Sequence, residues 1–412
     1  MINKPLSSDE IKGQIERHLT GFFHPGERVL AIIPDLTRSA PTPVVFAILN
    51  DLAKHSNGHL DYLIALGTHP PLNDLEIEQL VGMSLAEIHR KHPGLQIMNH
   101  TWSDPTQMAK LGVISANETS RLSGGLMREE IIVHINRLAL EYDRLLICGP
   151  VFPHEVAGFS GGTKYLFPGI AGEEIIHRTH WLGALSTCVN TIGVKDTPVR
   201  RIIDSAARML TTPVKNMSFV MHGQDTLRIY IGELNESWRQ AVDLSAQVNI
   251  RKIDRQFDSI LSQPATLYNE IWTAAKAMYK LESIVRDGGD LIIYAPHICE
   301  FSVTHGHLIK EVGYHCRDFF LSQWEKYKNY PLGVLAHSTH LKGAGIFEND
   351  VEKPRINVIL ATAIPHEICE QVNLGYLDPA KVNINDWKNQ EHHGHMVVPD
   401  AGEILYKYEP VH

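Results

Sequence analysis

Residues 28–38 read RVLAIIPDLTR, and a helix-compatible stretch, Pro43–His55, follows almost at once. An apolar run that halts at a proline and an acid, then a helical segment, spells strand, loop, helix. The same order recurs along the chain. Leu60–Leu66, Arg144–Cys148, Leu291–Tyr294 and Val358–Ala361 are short apolar runs that end near Gly, Pro, Asp or His. Ser84–Lys91 reads as a further helix. Alternation of this kind predicts an α/β fold: two α/β domains with mostly parallel sheets covered by helices. In such sheets ligands bind beyond the carboxyl ends of the strands. Asp35–Arg38, Gly67–His69 and Gly149–His154 all fall at such ends.

The chain has 412 residues, and single cores stop growing near about 250–300 residues. Two domains are therefore expected, with the boundary in the polar stretch Gln247–Gln256. We assign residues 1–248 to an N-terminal α/β domain carrying the cofactor-binding residues, and 249–395 to a C-terminal α/β domain. Residues 396–412 are expected to form a tail that packs back on the N-terminal domain. A helix is predicted over Tyr268–Val285, stopped by Arg286-Asp287-Gly288-Gly289 before the strand Leu291–Tyr294.

Apolar residues make up 43% and charged residues 21%, with a net charge of −9. That composition is globular, and the negative balance argues against nucleic acid or an anionic membrane as the main ligand. The polar N-terminus lacks the apolar core of a signal peptide, and no apolar run approaches the roughly 20 residues of a membrane span. Five scattered cysteines without a CxxC pair suit a reduced, cytoplasmic protein. Histidine is abundant at 24 copies, which directs the search toward metal and proton-transfer chemistry.

Chemistry is densest between Pro153 and Gly172, where Ser160-Gly161-Gly162-Thr163 leads directly into Lys164. Glycines let backbone amides approach an anion, so the segment reads either as an anion-binding loop or as a tight structural turn. The Walker A spacing is absent. Lys164 can serve as a phosphate partner, a Schiff-base nucleophile or a covalent anchor. His177 and His180 lie three apart in the helix-like Glu173–Trp181, on one face, and imidazole suits Ni, Cu or Zn. Asp35 and Arg38 pair an acid with a planar donor that grips carboxylates or phosphates. His69 follows a strand and could act as a base. The string His392-His393-Gly394-His395 reads as mainly structural.

Together, Asp35-x-x-Arg38, Gly67-x-His69, His154-x3-Gly-Phe-Ser-Gly-Gly-x-Lys164-x3-Pro-Gly and then His180 resemble the nickel-pincer lactate racemase family. The likeness runs over most of the chain, through Lys276…Gly288-Gly289 and the closing Val397–Tyr406. It implies a 2-hydroxy acid racemase or epimerase with its active-site cleft between the domains. The implied cofactor is a nickel-pincer nucleotide: a pyridinium-3-thioamide-5-thiocarboxylic acid mononucleotide carrying Ni, covalently bound to Lys164. By the same resemblance Ser160, Gly161 and Gly162 line the cofactor and His180 is the protein ligand to nickel. His69 and His154 act as acid and base, with Asp35 beside them orienting Arg38 or a histidine. Arg38 and Lys276 bind the substrate carboxylate. One histidine removes the hydroxyl proton while hydride leaves C2 for the cofactor; hydride return to the other face of the planar 2-oxo acid inverts the centre. Separate maturation enzymes would supply the cofactor.

The chain departs from the family at Ser39, where proline is frequent, and at Thr163, where arginine is common. Trp272 and Thr273 stand where the family often has tyrosine and glutamine beside the substrate. These changes spare the tether and alter the substrate pocket, so a sugar acid or aryl lactate stands beside lactate as a substrate. A second class of function is a phosphate- or nucleotide-binding transferase using the Gly-rich loop and Lys164, with Glu173-Glu174 as the nearby carboxylates for magnesium. A third is a non-catalytic carrier of nickel or nucleotide. Both leave His69 and His154 without roles.

Overall fold

A computed structural model describes residues 4–410. The chain divides into two compact units. The first runs to Phe152 and adds Phe159–Ile176 and Arg200–Val248; the second comprises Pro153–Gly158, His177–Val199 and the chain from Asn249 onward.

The first unit is built on a six-stranded sheet. Its strands are β1 (Arg28–Ile33), β2 (His59–Ile64), β3 (Ile97–Asn99), β4 (Arg144–Pro150), β5 (Val214–His222) and β6 (Asp225–Glu233). The order is β6-β5-β4-β1-β2-β3. All neighbours are parallel except the β5–β6 pair. β1 is buried from Val29 to Ile33 without alternation, as expected when both faces of a parallel strand are covered. Helix α1 (Thr42–His55) covers one face, placing Phe46 and Leu49 in a core with Ala31, Tyr62, Ile64 and Phe219. The direction of connection reverses between β1 and β4, and the carboxyl ends of adjacent strands there lead into Asp35 and into the glycine-rich loop.

The second unit holds a five-stranded, wholly parallel sheet. Its strands are β7 (Phe257–Pro264), β8 (Val285–Ala295), β9 (Asn357–Thr362), β10 (Gly375–Tyr376) and β11 (His395–Ala401), in the order β10-β9-β8-β7-β11. Leu261, Ile292 and Ala361 pack at its centre. The helices used below are α2 (Glu173–Ser186), α3 (Leu234–Asn249) and α4 (Leu332–Lys342).

The structure differs from several expectations. The helix expected over Tyr268–Val285 is two single turns, Ile271–Ala274 and Lys276–Tyr279, followed by a 3-10 turn at Glu282–Ile284. Arg286–Gly289 does not stop a helix but lies inside β8, where the pairing with β7 shifts register and Gly288 takes φ +78°. That is a bulge, which a Gly-Gly pair accommodates. Of the expected closing tail, Met396–Ala401 belong to β11, hydrogen-bonded to β7, and Leu405–Tyr408 pairs with Ile250–Ile253. The short apolar run Met396-Val397-Val398 forms a strand at the edge of that sheet. Residues 153–158 and 177–199, assigned above to the N-terminal domain, group with the second unit.

Candidate active site

In the first unit the carboxyl ends of β1 and β2 bring Asp35 and His69 together. Asp35 Oδ2 lies 2.5 Å from His69 Nδ1. Its other oxygen accepts from the Thr37 amide (3.0 Å) and hydroxyl (2.7 Å), so the carboxylate cannot swing. The acid that the sequence left between two partners thus orients the histidine. An acid at Nδ1 fixes the ring and leaves Nε2 for chemistry. Asp35 is buried while the His69 side chain keeps 29% of its surface exposed, so the base is reachable. Arg38 acts on the same neighbourhood: burial pushes the Tyr165 hydroxyl far up its titration range, Arg38 pulls it back, and Asp35 and Cys148 add to the rise. The Tyr165 ring rests on Gly149, where a Cβ would come within 2.1 Å of it.

Tyr165 ends the short 3-10 turn Gly162–Tyr165 that carries Lys164. The Lys164 amide donates to Gly161 O at 3.3 Å and its carbonyl accepts from the Gly169 amide at 3.1 Å. Gly169 O in turn accepts from the Gly67 amide at 2.9 Å, which ties the lysine loop to the loop of His69. Gly162 has φ +59°, and a Cβ there would meet the Trp238 ring at 2.8 Å. Ser160, Gly161 and Gly162 are buried. The Ser160 hydroxyl donates to Pro150 O (2.9 Å) and accepts from the Phe152 amide (2.8 Å), so it closes the loop.

Two residues that sequence reasoning missed brace this loop. Trp238, on α3, donates its indole N–H to Ser160 O at 2.9 Å. Arg200 stacks its guanidinium 4.1 Å from the Trp238 centroid and donates to the carbonyls of Phe159 and Gly161 and to the Thr163 hydroxyl. Burial lowers Arg200 to about 10, with Asp204 opposing that fall. Asp204 accepts from the Thr163 hydroxyl at 2.5 Å. Nothing in the spacing of Arg200 or Trp238 marks them, because they reach the loop only through the fold. Glu174, the candidate magnesium carboxylate, accepts from the Ile132 amide at 3.1 Å and Glu173 is exposed, an arrangement unlike a metal-binding pair.

The second unit carries the remaining candidates. His154 is buried; its Nδ1 accepts from the Val156 amide at 3.1 Å and lies 3.3 Å from Glu155 Oε2. His177 and His180 are half-buried on α2, and His177 Nδ1 accepts from the Gly333 amide at the start of α4 (3.2 Å). Trp272 and Lys276 stand four apart on the two single turns. Lys276 is buried, with its ammonium 4.8 Å from the Tyr268 ring centroid. The Thr273 hydroxyl donates to Glu270 O at 3.1 Å. Trp272 stacks on His337 at 4.0 Å and leans on His305 at 4.8 Å, while Tyr314 Oη lies 3.3 Å from His337 Nε2. Burial, helped by like-charge repulsion from His340, His305 and His180, holds His337 well below the usual imidazole range. Burial likewise lowers His305 and His340 to about 4. His305, His337 and His340 were not singled out from the sequence; the i, i+3 spacing of His337 and His340, together with the excess of histidine, was the available signal. His392 and His393 are exposed, and His395 bonds Ser259 within the sheet.

The residues present suit the implied cofactor. Lys164 is half-buried on a backbone held at both ends, as a covalent anchor requires. Among the described residues no three His, Cys, Asp or Glu side chains gather as metal ligands. A nickel ion whose soft donors come from the cofactor needs few protein ligands, and the resemblance assigns that place to His180.

Residues 10–191 match the family model for the lactate racemase N-terminal domain. The chain is 26% identical over 280 residues to the lactate racemase of Thermoanaerobacterium thermosaccharolyticum, covering 65% of this chain and 60% of that protein. It is 25% identical over 302 residues to the lactate racemase of Lactiplantibacillus plantarum, covering 71% and 64%. The chain thus spans about 60% of the length of the curated relatives it matches. A crystal structure of a protein from Thermotoga maritima superposes with a TM-score of 0.90 at 31% identity, over 98% of this chain and 99% of that one. The lactate racemase apoprotein from T. thermosaccharolyticum superposes with a TM-score of 0.75 at 18% identity, over 98% and 93%, and shares the fold. Over residues 10–191 the chain thus matches the N-terminal domain of the lactate racemase family, and it is similar to lactate racemases over about two thirds of its length.

Proposed function

We propose that the protein is an isomerase, a racemase or epimerase that inverts C2 of a 2-hydroxy acid. The observation that carries this reading is the Asp35–His69 pair, set at 2.5 Å beside Arg38 and tied through Gly67 to the loop of Lys164. Lys164 would tether the nickel-pincer nucleotide, His180 would ligate its nickel, and Ser160–Gly162 would shape its seat. When bound, that group supplies a reversible acceptor for the C2 hydride.

The protein's own groups supply position and protons. Asp35 holds the Nδ1–H of His69, so Nε2 takes the hydroxyl proton of one enantiomer. His154 takes the same role for the other. Arg38 and Lys276 grip the carboxylate, so that C2 turns over while the rest of the substrate stays in place. Burial of Lys276 strengthens that grip by excluding water. Partners under this reading are the small 2-hydroxy acid and the enzymes that make the cofactor. No helix among the described residues is long and apolar enough to cross a membrane.

The test is intact mass and nickel content of protein co-produced with the pincer-synthesis enzymes, followed by chiral assay of a panel of 2-hydroxy acids. An adduct on Lys164, about one nickel per chain, and interconversion of one enantiomeric or epimeric pair are expected. Neither adduct nor nickel, from a host that loads a known pincer enzyme, would overturn the reading.

A further inference from the structure

The two imidazoles assigned to proton transfer are served differently at Nδ1. In His69 that atom faces the carboxylate of Asp35. A carboxylate accepts only, so the neutral ring carries its proton on Nδ1 and its lone pair on Nε2. In His154 the same atom accepts the Val156 amide N–H, so the neutral ring carries its proton on Nε2. The two rings therefore rest in opposite tautomers.

The resting form of His154 suits neither of its roles. As a base at Nε2 the ring must hold its proton on Nδ1. As an acid it must be an imidazolium, protonated at both nitrogens. Each working form presents an N–H at Nδ1, and an N–H cannot face the Val156 N–H; it needs an acceptor. Glu155 Oε2 lies 3.3 Å from that atom. Donor and acceptor are offered by successive residues of one short segment, so a small rotation of the ring exchanges them.

We propose that Glu155 is a positioning residue for His154, accepting its Nδ1–H in both working forms and so drawing the ring out of the Nε2–H tautomer in which it rests. The proposal rests on the acid–base reading of His154 given above. Titratable groups that face Glu155 include His154 beside it, His340 from α4, and the thiol of Cys188, which also faces Glu282 and Lys280. Burial keeps His340 neutral down to about pH 4 and pushes the Cys188 thiol up. Neither carries charge near neutral pH, so the Glu155 carboxylate acts on His154 without being offset by them. Through the reaction the Nε2 proton is the one exchanged with the substrate oxygen; the Nδ1 proton stays on the ring, bonded to Glu155.

Nitrogen-15 NMR of the imidazoles in the full chain tests this, with His154 assigned by loss of its signals in His154→Gln. Near pH 8, His154 should show an unprotonated Nδ1 and a protonated Nε2, the reverse of His69. In Glu155→Gln the titration midpoint of His154 should fall by about one pH unit, and in Glu155→Asp, which keeps the charge, it should stay near wild type. A melting transition near wild type confirms that the variants fold. In cofactor-loaded protein Glu155→Gln should lower kcat by about 10²-fold with KM little changed, and move one limb of the kcat/KM profile to lower pH. A protonated Nδ1 in resting His154, or an unmoved midpoint in Glu155→Gln, overturns the proposal. Full turnover by His154→Gln overturns the acid–base reading itself. Loss of turnover in His154→Gln with wild-type rates in Glu155→Gln overturns only the assignment of Glu155.

Discussion

In the first unit the loop Ser160–Lys164 is held through its backbone: carbonyls of Phe159, Ser160 and Gly161 receive Arg200 and Trp238, and Gly162 leaves room for the indole. In the second unit the wall of Trp272, His305 and His337 is held by ring packing, with imidazoles kept neutral by burial. A loop shaped by main-chain contacts tolerates change in the side chains it presents, but not a Cβ where glycine stands. A wall shaped by side chains behaves in the opposite way: its contour, and any specificity it confers, follows each ring. The departures from the family pattern fall on both sides of that division: Ser39 and Thr163 belong to the first unit, Trp272 and Thr273 to the second.

Several changes would break or sharpen this contrast. The largest effect is expected from Lys164→Ala: all covalent cofactor is lost while the fold persists, because loop shape is carried by Arg200, Trp238 and Gly162. Intact mass decides it, and an unchanged adduct would remove Lys164 as the anchor. His69→Ala should keep adduct and nickel yet lower turnover roughly 10²–10⁴-fold, the usual contribution of a positioned base. Full racemisation by that variant would release the Asp35–His69 pair from catalysis.

The next effect concerns pH and distinguishes the wall from the loop. His305 and His340 have folded values near 4, below the ordinary imidazole value of 6.5. The unfolded chain therefore binds more protons between those limits, so stability is fully present above about pH 6.5 and falls as pH drops toward 4, on the order of 3 kcal/mol per group. Urea midpoints at pH 7 and 4.5 should show this loss, and His340→Gln should show less of it; equal losses would remove His340 from the account. The smallest effect is Gly162→Ala. Crowding against Trp238 at φ +59° should cost about 1–3 kcal/mol and lower the melting temperature. An unchanged melt would mean that the loop does not depend on close approach of the indole.

Much of the scaffold was legible because parallel strands buried on both faces read as unbroken apolar runs: β1 spans the predicted Arg28–Ile33, and β8 and β9 contain the predicted Leu291–Tyr294 and Val358–Ala361. The stretch Tyr268–Val285 misled because its composition favours helix, while the chain forms separate turns that break at Ala275, the first of them starting with its Ile271 and Trp272 amides on the carbonyls of Glu300 and Phe301. The closing segment shows the same limit: its short apolar run Met396–Val398 can be read as a strand, but its partner β7 lies more than a hundred residues earlier in the chain.

The sequence by itself determined the strand-and-loop grammar and the likeness to the lactate racemase family. These depend on local spacing, where a few residues at the end of a strand or in one loop carry the signal. Only the tertiary structure decided that Asp35 serves His69, that Arg200 and Trp238 brace the lysine loop, and that three buried imidazoles stand around Trp272. Those contacts join residues far apart in the chain, and local sequence patterning encodes burial and turn but not the partner that arrives from elsewhere in the fold.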